Sequence, residues 1–266
     1  MNERHKKMIY DKKDFEGLRR VGRLAADTLD YITDFVSAGI STYDIDKIVA
    51  EYTKKHNAIC APLHYHGYPK NCCISVNDVI CHGIPSKHEY LNDGDIVNID
   101  ITTILDGYYG DTSRMFLIGN VSERARELVD ITYNSMMNAI SICKPGVKLS
   151  EIGKIIQTMC EREGFSVVRD FCGHGTGKIF HDEPQVLHYY TKEAENTILK
   201  EGMVFTIEPM INTGDWQMYV EDNDWTARTI DGGLSAQFEH TIGITKNGVE
   251  IFTKSQRGLN KPPYKK

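Results

Sequence analysis

Four carboxylates sit inside apolar, strand-like runs: Asp100 in VNID, Asp111 in YYGDTSRMF, Glu208 in MVFTIEPMI and Glu239 in LSAQFEHTIGIT. An unpaired carboxylate in such surroundings is expensive, and four that repel one another call for a cation. Asp106-Gly107, between two β-rich runs, is a two-residue hairpin signal. That turn sets Asp111 opposite Thr102 and leaves Asp100 as its diagonal neighbour on the same face, at a Cα separation of roughly 7–8 Å, where both acids can converge on one or two cations. Oxygen-rich ligation with one imidazole suits Mn²⁺, Fe²⁺, Co²⁺ or Zn²⁺, and two such ions about 3.5–4 Å apart would share bridging acids. A structural zinc site is not expected, because no cysteine pair has zinc-finger spacing.

Imidazoles are available at His82, His174, His181 and His240. In FCGHGTGKIFHDEP, Phe171 to Pro184, His174 lies between Gly173 and Gly175, which lets the backbone approach a site closely and makes His174 the candidate nitrogen ligand. His82 in CHGIP and His181 in FHDEP share a His-x-x-Pro pattern. From residue types alone, His181 stays open between metal ligand, proton carrier and plain loop histidine.

The elements that must position these groups read as a duplication. Phe15 to Val36 carries Leu18, Val21, Leu24, Ala25, Leu29 and Ile32 on one side of a helix ending near Ala38-Gly39. Ser41 or Thr42 can then cap a second helix with Ile45, Ile48, Val49 and Tyr52 inside. The same grammar returns after Ser122: a helix with Leu128, Val129 and Met136, a stop at Lys144-Pro145-Gly146, and a helix with Ile152, Ile155, Ile156 and Met159. GDIVNID and GMVFTIE, from Gly94 and Gly202, both run through an apolar strand pattern to an acid. Two copies of helix, helix, strand and strand predict one catalytic domain over 1–266 built from related halves, about 15–116 and 122–253, with the site where they face each other.

Composition narrows the class. Hydrophobic residues at 41% and charged residues at 26% are those of a globular chain rather than a disordered one, and no apolar run approaches the roughly 20 residues needed to span a bilayer. The start, MNERHKKMIYDKKDF, is basic without the apolar stretch of a secretory signal, so a cytoplasmic location is expected. The seven cysteines, Cys60, Cys72, Cys73, Cys81, Cys143, Cys160 and Cys172, are odd in number and form no C-x-x-C, which fits reduced thiols. A net charge of −6 argues against a nucleic-acid-binding surface over the body. Arg4, Lys6, Lys7, Lys12 and Lys13 at one end and Lys261, Lys265 and Lys266 at the other could still touch a polyanion such as a ribosome. No exposed apolar repeat calls for a partner, so a monomer is expected.

Together YHGYPKNCCISVNDVICHGIP, NGDIVNIDITTILDGYYGDTSRMF, CGHGTGKIFHDEP, FTIEPM and SAQFEHT carry a resemblance: from about Phe15 to Thr253 the chain resembles the type I methionine aminopeptidases of the bacterial short form. The resemblance implies an α/β (α+β) pita-bread fold, two pseudo-symmetric halves with an antiparallel sheet covered by helices. It implies removal of the initiator methionine from nascent polypeptides when the second residue is small. It makes Asp100, Asp111, His174, Glu208 and Glu239 the ligands of two divalent ions, cobalt, manganese, iron or zinc, with Asp111 and Glu239 bridging. His82 and His181 then contact substrate rather than metal, and Glu208 doubles as proton shuttle. Tyr65, Tyr68, Cys73, Phe180 and Trp225 match the methionine pocket, and Asn77, Val79 and Ser235 match a site for sodium or potassium. Two departures stand out: Pro62 at a pocket-rim position where some members have cysteine, and the acidic segment Gly214 to Asp224. The zinc-binding N-terminal extension of longer members has no counterpart here. The competing expectations are an Xaa-Pro peptidase of the same fold and a non-catalytic pita-bread protein that binds peptides or ribosomes.

Overall fold

The computed structural model describes residues 9–264. In chain order the first elements are α1 (Lys12–Ile32), α2 (Thr42–Lys55), β1 (Ile59–Cys60), β2 (Cys73–Val76), β3 (Val79–Cys81), β4 (Ile96–Leu105) and β5 (Tyr108–Leu117). Next come α3 (Glu123–Ser141), α4 (Ser150–Arg162), β6 (Ser166–Val167), β7 (Gly173–Gly175), β8 (Asp182–Val186), β9 (Val204–Ile207) and β10 (Met210–Asn212). The chain closes with β11 (Met218–Val220), β12 (Ala227–Thr229), β13 (Ser235–Gln237), β14 (Glu239–Ile244) and β15 (Val249–Ile251). The main sheet is nine-stranded and runs β1-β4-β5-β14-β9-β7-β8, with β2 also on β4 and β15 also on β14; two three-stranded sheets, β13-β10-β6 and β11-β12-β3, complete it.

The β4–β5 hairpin has the register its turn demands. Asp106 and Gly107 take φ of 53° and 79°, the pair of positive values of a type I′ turn, and Thr102 faces Asp111 while Asp100 faces Ser113. Alternation then divides labour along β4. Val97, Ile99 and Ile101 pack against Leu29 and Ile32 of α1 and Ile45 and Val49 of α2, which leaves Asn98, Asp100 and Thr102 for the other face. In the second half α3 and α4 bury Leu128, Met136, Ile152 and Ile156 against Phe205, Ile207, Ile242 and Ile244.

Helix α1 differs from its sequence expectation at both ends. It starts three residues before Phe15, because Asp11 and Asp14 form a reciprocal capping box. It stops at Ile32 rather than Val36; Phe35 beyond it is 40% exposed, and Val36 packs against the core from outside the helix. Helix α3 likewise ends at Ser141, ahead of Lys144. Ser41 and Ser122 cap α2 and α3 as expected.

Equivalent glycines of the two halves share conformation and partners. Gly39 and Gly146 have φ of 90° and 92°; the first donates to Leu91 O at 2.7 Å, the second to Leu199 O at 2.9 Å. Gly94 and Gly202 have φ of 97° and 89° and donate to Ile118 O and Ile244 O at 2.7 and 2.8 Å. One brace belongs to the first half alone: Arg114 of β5 lies 2.5 Å from Asp30 of α1 with both side chains buried, and the C-terminal segment adds bonds to Asp30 from Ser255 Oγ at 2.8 Å and Arg257 Nη1 at 3.1 Å.

Among the described residues no helix is long and apolar enough to cross a membrane, and all seven cysteines are free thiols. Arg4, Lys6, Lys7, Lys265 and Lys266 of the basic ends lie outside the described residues. Lys12 and Lys13 are exposed in the first turn of α1, and Lys261 pairs with Asp130 at 2.7 Å.

Candidate active site

Sheet register gathers the acids. Cys73 faces Asp100, Asp100 faces Ser113, and Ser113 faces Glu239, so one row crosses β2, β4, β5 and β14. Directly opposed residues share a face, and a serine between two acids leaves room that a larger side chain would fill. Asp111 joins them diagonally, its Oδ1 accepting from Thr102 Oγ1 at 2.7 Å.

The second half delivers His174 and Glu208 from separate strands. His174 lies on β7, whose glycines permit close contact: a Cβ on Gly173 would come within 2.4 Å of Thr206 O, and one on Gly175 within 2.0 Å of Glu183 O. The His174 N–H donates to Thr206 Oγ1 at 3.0 Å, and that hydroxyl donates to Glu208 Oε1 at 2.7 Å. Glu208 stands just past β9, with Oε2 accepting from Gln237 Nε2 at 3.2 Å and its backbone N–H donating to His188 Nε2 at 3.0 Å.

These residues fit a divalent cation site. Donor atoms of Asp111, His174 and Glu239 lie within 4.8 Å of one another. His174 Nε2 is 3.6 Å from Asp111 Oδ2 and 3.5 Å from Glu208 Oε1, too far for good hydrogen bonds but suited to donors sharing one ion at bond lengths of about 2.0–2.2 Å. Asp100 Oδ1 is buried with no hydrogen-bond partner among the described residues. Burial first, and then mutual repulsion, raises Asp100, Glu208 and Glu239 well above the ordinary carboxylate range, and burial raises Asp111 as well. Burial also lowers His174 to about 4, which leaves its lone pair free to ligate. The acids are unfavourable as anions unless a cation joins them.

Above the acids opens a cavity of about 440 Å³. Tyr65, Tyr68, Cys73, Phe180 and Trp225 line it, together with Pro62, and Phe171, Cys81 and Met210 extend the lining beyond the expected set. The rings interlock: Tyr65 and Phe180 centroids are 4.7 Å apart, Tyr68 and Trp225 5.1 Å, and Tyr109 stacks on Phe180 at 5.5 Å. The Trp225 backbone is held by the acidic segment, where Asn223 Oδ1 accepts from its backbone N–H at 3.0 Å and Arg228 joins Glu221 to Asp78.

His82 and His181 both face this cavity. His82 takes φ of 57°, with its ring edge-on to Phe171 at 5.3 Å. The His181 ring lies 4.1 Å from that of His174. Burial lowers His82 to about 4, and burial together with the neighbouring His174 and His82 lowers His181 to about 3, so both rings are neutral near pH 7. His240 is elsewhere, buried and bonded through Nδ1 to Thr253 Oγ1 at 2.9 Å.

Of the three residues matched to a monovalent-cation site, Asn77 and Ser235 meet, with Ser235 N–H donating to Asn77 O at 2.8 Å. The Asn77 side chain is already taken by Asp95 and the Ile96 N–H, whereas Ser235 Oγ is buried without a hydrogen-bond partner among the described residues. Val79 sits two residues further along, in β3.

Sequence reasoning did not find Thr206, Gln237 or His188. Thr206 was readable, since it lies two residues before Glu208 on a period-2 strand. His188, in QVLHYY, has no spacing that announces contact with a backbone N–H twenty residues away.

Residues 16–246 match metallopeptidase family M24. The chain is 50% identical over 257 residues to the methionine aminopeptidase of Rickettsia prowazekii, covering 96% of this chain and 98% of that one. It is 51% identical over 246 residues to the methionine aminopeptidase of Escherichia coli K12, covering 92% and 93%. The crystal structure of the Rickettsia prowazekii methionine aminopeptidase superposes with a TM-score of 0.89, covering 92% of this chain and 99% of that one.

Proposed function

The chain belongs to metallopeptidase family M24, with the pita-bread fold and the activity of a methionine aminopeptidase, and from that premise we propose how its residues divide the work. The reading is carried by one observation: five ligand-type side chains, Asp111 and Glu239 buried and Asp100, His174 and Glu208 partly buried, line a cavity walled by aromatic rings. Asp100, Asp111, His174, Glu208 and Glu239 would hold two divalent ions. When bound, such ions polarise a carbonyl and make water a competent nucleophile near neutral pH.

The protein's own groups do the rest. The methionine side chain enters between Tyr65, Tyr68, Cys73, Phe180 and Trp225, where burial of an apolar side chain stabilises binding by about 1.5–3 kcal/mol and each sulfur–aromatic contact adds ~0.3–1.5 kcal/mol. Glu208 accepts the proton of the attacking water and returns it to the leaving amine, steered by Thr206 on one oxygen and Gln237 on the other. His82 and His181, neutral and facing the cavity, hold the scissile peptide and donate to the oxygen on which negative charge develops.

The matched glycines Gly39 and Gly146, and Gly94 and Gly202, support one catalytic domain of two related halves. The free thiols favour a cytoplasmic setting, where a monomer would meet nascent chains at the ribosome through its basic ends. Purified protein with Mn²⁺ or Co²⁺ is expected to release methionine from Met-Ala and not from Met-Lys. Absence of metal-dependent release from Met-Ala would sink the reading, and preferential cleavage before proline would replace it with the Xaa-Pro peptidase.

A further inference from the structure

Tyr65 joins the cavity wall from a turn with an uncommon backbone. His64 and His66 flank it with φ of 68° and 47°, the left-handed region that costs a non-glycine residue roughly 1–2 kcal/mol. Such positions persist where their surroundings over-determine them and cluster at functional sites. The turn closes on itself, with His64 N–H donating to Tyr68 O at 2.7 Å and Tyr68 N–H to Tyr65 O at 2.9 Å. From it two phenols reach toward the two cavity histidines. Tyr68 OH donates to Gly83 O at 2.8 Å, one residue past His82, and Tyr65 OH lies 2.9 Å from His181 Nδ1.

The second contact bears on where His181 keeps its proton. A neutral imidazole carries one N–H, and the bond made by one nitrogen decides which nitrogen that is. A phenol hydroxyl is the more acidic donor and the lone pair of an imidazole nitrogen the more basic acceptor, so the favoured arrangement is O–H donating to Nδ1. Burial raises the Tyr65 phenol above its ordinary value, and it keeps the proton it donates. The ring itself is bracketed by His174 and Phe180, each with its centroid 4.1 Å away. Nε2 makes no hydrogen bond among the described residues and is the nitrogen left for a ligand in the cavity.

We infer that Tyr65, besides walling the pocket, is a positioning residue that fixes His181 in the tautomer with the proton on Nε2, so that an N–H points at the carbonyl oxygen of the scissile peptide. The inference rests on the reading of His181 as substrate-facing. Without the phenol, Nδ1 loses its donor; the tautomer with Nδ1–H and a lone pair on Nε2 becomes populated, and that form cannot donate to a developing oxyanion.

Tyr65→Phe keeps the ring that packs on Phe180 and removes only the hydroxyl. In metal-free protein carrying ¹⁵N-labelled histidine, with His181→Gln used for assignment, the wild-type His181 ring is expected to show a protonated Nε2 and a hydrogen-bond-accepting Nδ1. The Tyr65→Phe ring is expected to show a mixture. In the metal-loaded enzyme, Tyr65→Phe should lower kcat on Met-Ala by roughly 10- to 100-fold with KM changed less than about 3-fold, while calorimetric metal affinity stays at the wild-type value. Tyr65→Phe combined with His181→Ala should be no slower than His181→Ala alone, because without the imidazole there is no Nε2–H left to orient. Unchanged ring-nitrogen signals in Tyr65→Phe, or losses that multiply in the double variant, would overturn the inference. A wild-type enzyme inactive on Met-Ala would sink the functional reading instead, and the ring-nitrogen signals would still decide the tautomer.

Discussion

The two halves reach the same floor by different routes. In the first half, Asp100 and Asp111 come from one hairpin, and the type I′ turn at Asp106-Gly107 fixes their relation through pairing within that hairpin. In the second half, His174, Glu208 and Glu239 come from β7, from just past β9 and from β14, and only pairing across the sheet brings them together. The first half is also braced by the buried Asp30–Arg114 pair, whereas α3 and α4 pack on their strands through apolar side chains. Duplicated scaffolds thus need not make duplicated half-sites: one half supplies a locally determined pair of acids, the other a set that depends on the completed sheet.

If both routes end at shared cations, removing an acid from either half should have the same, largest effect. Asp111→Ala and Glu239→Ala are each expected to lower kcat/KM on Met-Ala by on the order of 10³-fold, several kcal/mol of transition-state stabilisation, and to weaken metal binding in parallel by calorimetry. Metal at about 100 times its dissociation constant should stabilise the wild-type fold by ~2.7 kcal/mol, and chelation should remove that increment. In both variants the increment should shrink. A variant from one half that keeps full metal-induced stabilisation would separate the two half-sites and break the comparison.

The brace gives the next largest effect and is confined to the first half. Arg114→Met leaves Asp30 buried without its partner and should destabilise the fold by about 3–5 kcal/mol in urea titrations. Asp30→Leu combined with Arg114→Met removes both charges and should recover most of that loss. A double variant as unstable as Arg114→Met alone would mean that the damage comes from packing rather than from an uncompensated charge. High salt should leave the wild-type brace intact, because a buried pair is screened far less than an exposed one.

The same contrast explains what could be read in the sequence. The hairpin register, the caps at Ser41 and Ser122 and the diagonal acids were legible because each is set within a few residues by turn and cap chemistry. The start of α1 was misplaced because the capping signal lies in Asp11 and Asp14, ahead of the apolar stripe that draws attention. The five ligand-type residues could be singled out one at a time, as acids in apolar strands and a histidine between glycines, but their separations depend on pairings between distant strands. Least legible were the groups that hold them: His188 beneath the Glu208 backbone and Tyr65 against His181, the latter 116 residues apart in the chain. No local pattern marks a hydrogen bond across that distance.

Glycines give the smallest and sharpest comparison, because they test the scaffold without touching the site. Gly39 and Gly146 share positive φ, and an added Cβ would meet nothing within 4 Å at either among the described residues. Gly39→Ala and Gly146→Ala should therefore each cost only the backbone strain of a left-handed alanine, roughly 1–2 kcal/mol, and equally so. Gly94 and Gly202 also match in φ, but their surroundings differ: a Cβ at Gly94 finds only Asn120 O at 3.7 Å, while one at Gly202 would meet Tyr10 O at 2.7 Å and Ile9 Cγ2 at 2.8 Å. Among the described residues the segment entering α1 lies against Gly202 and not against Gly94, with Tyr10 N–H donating to Gly202 O at 2.7 Å. Gly94→Ala should cost about the same as the first pair, and Gly202→Ala more than any of them in urea titrations. Unequal costs at Gly39 and Gly146 would mean that matching dihedrals and partners hide different local stabilities. Equal costs at Gly94 and Gly202 would mean that the entering segment gives way and does not distinguish the halves.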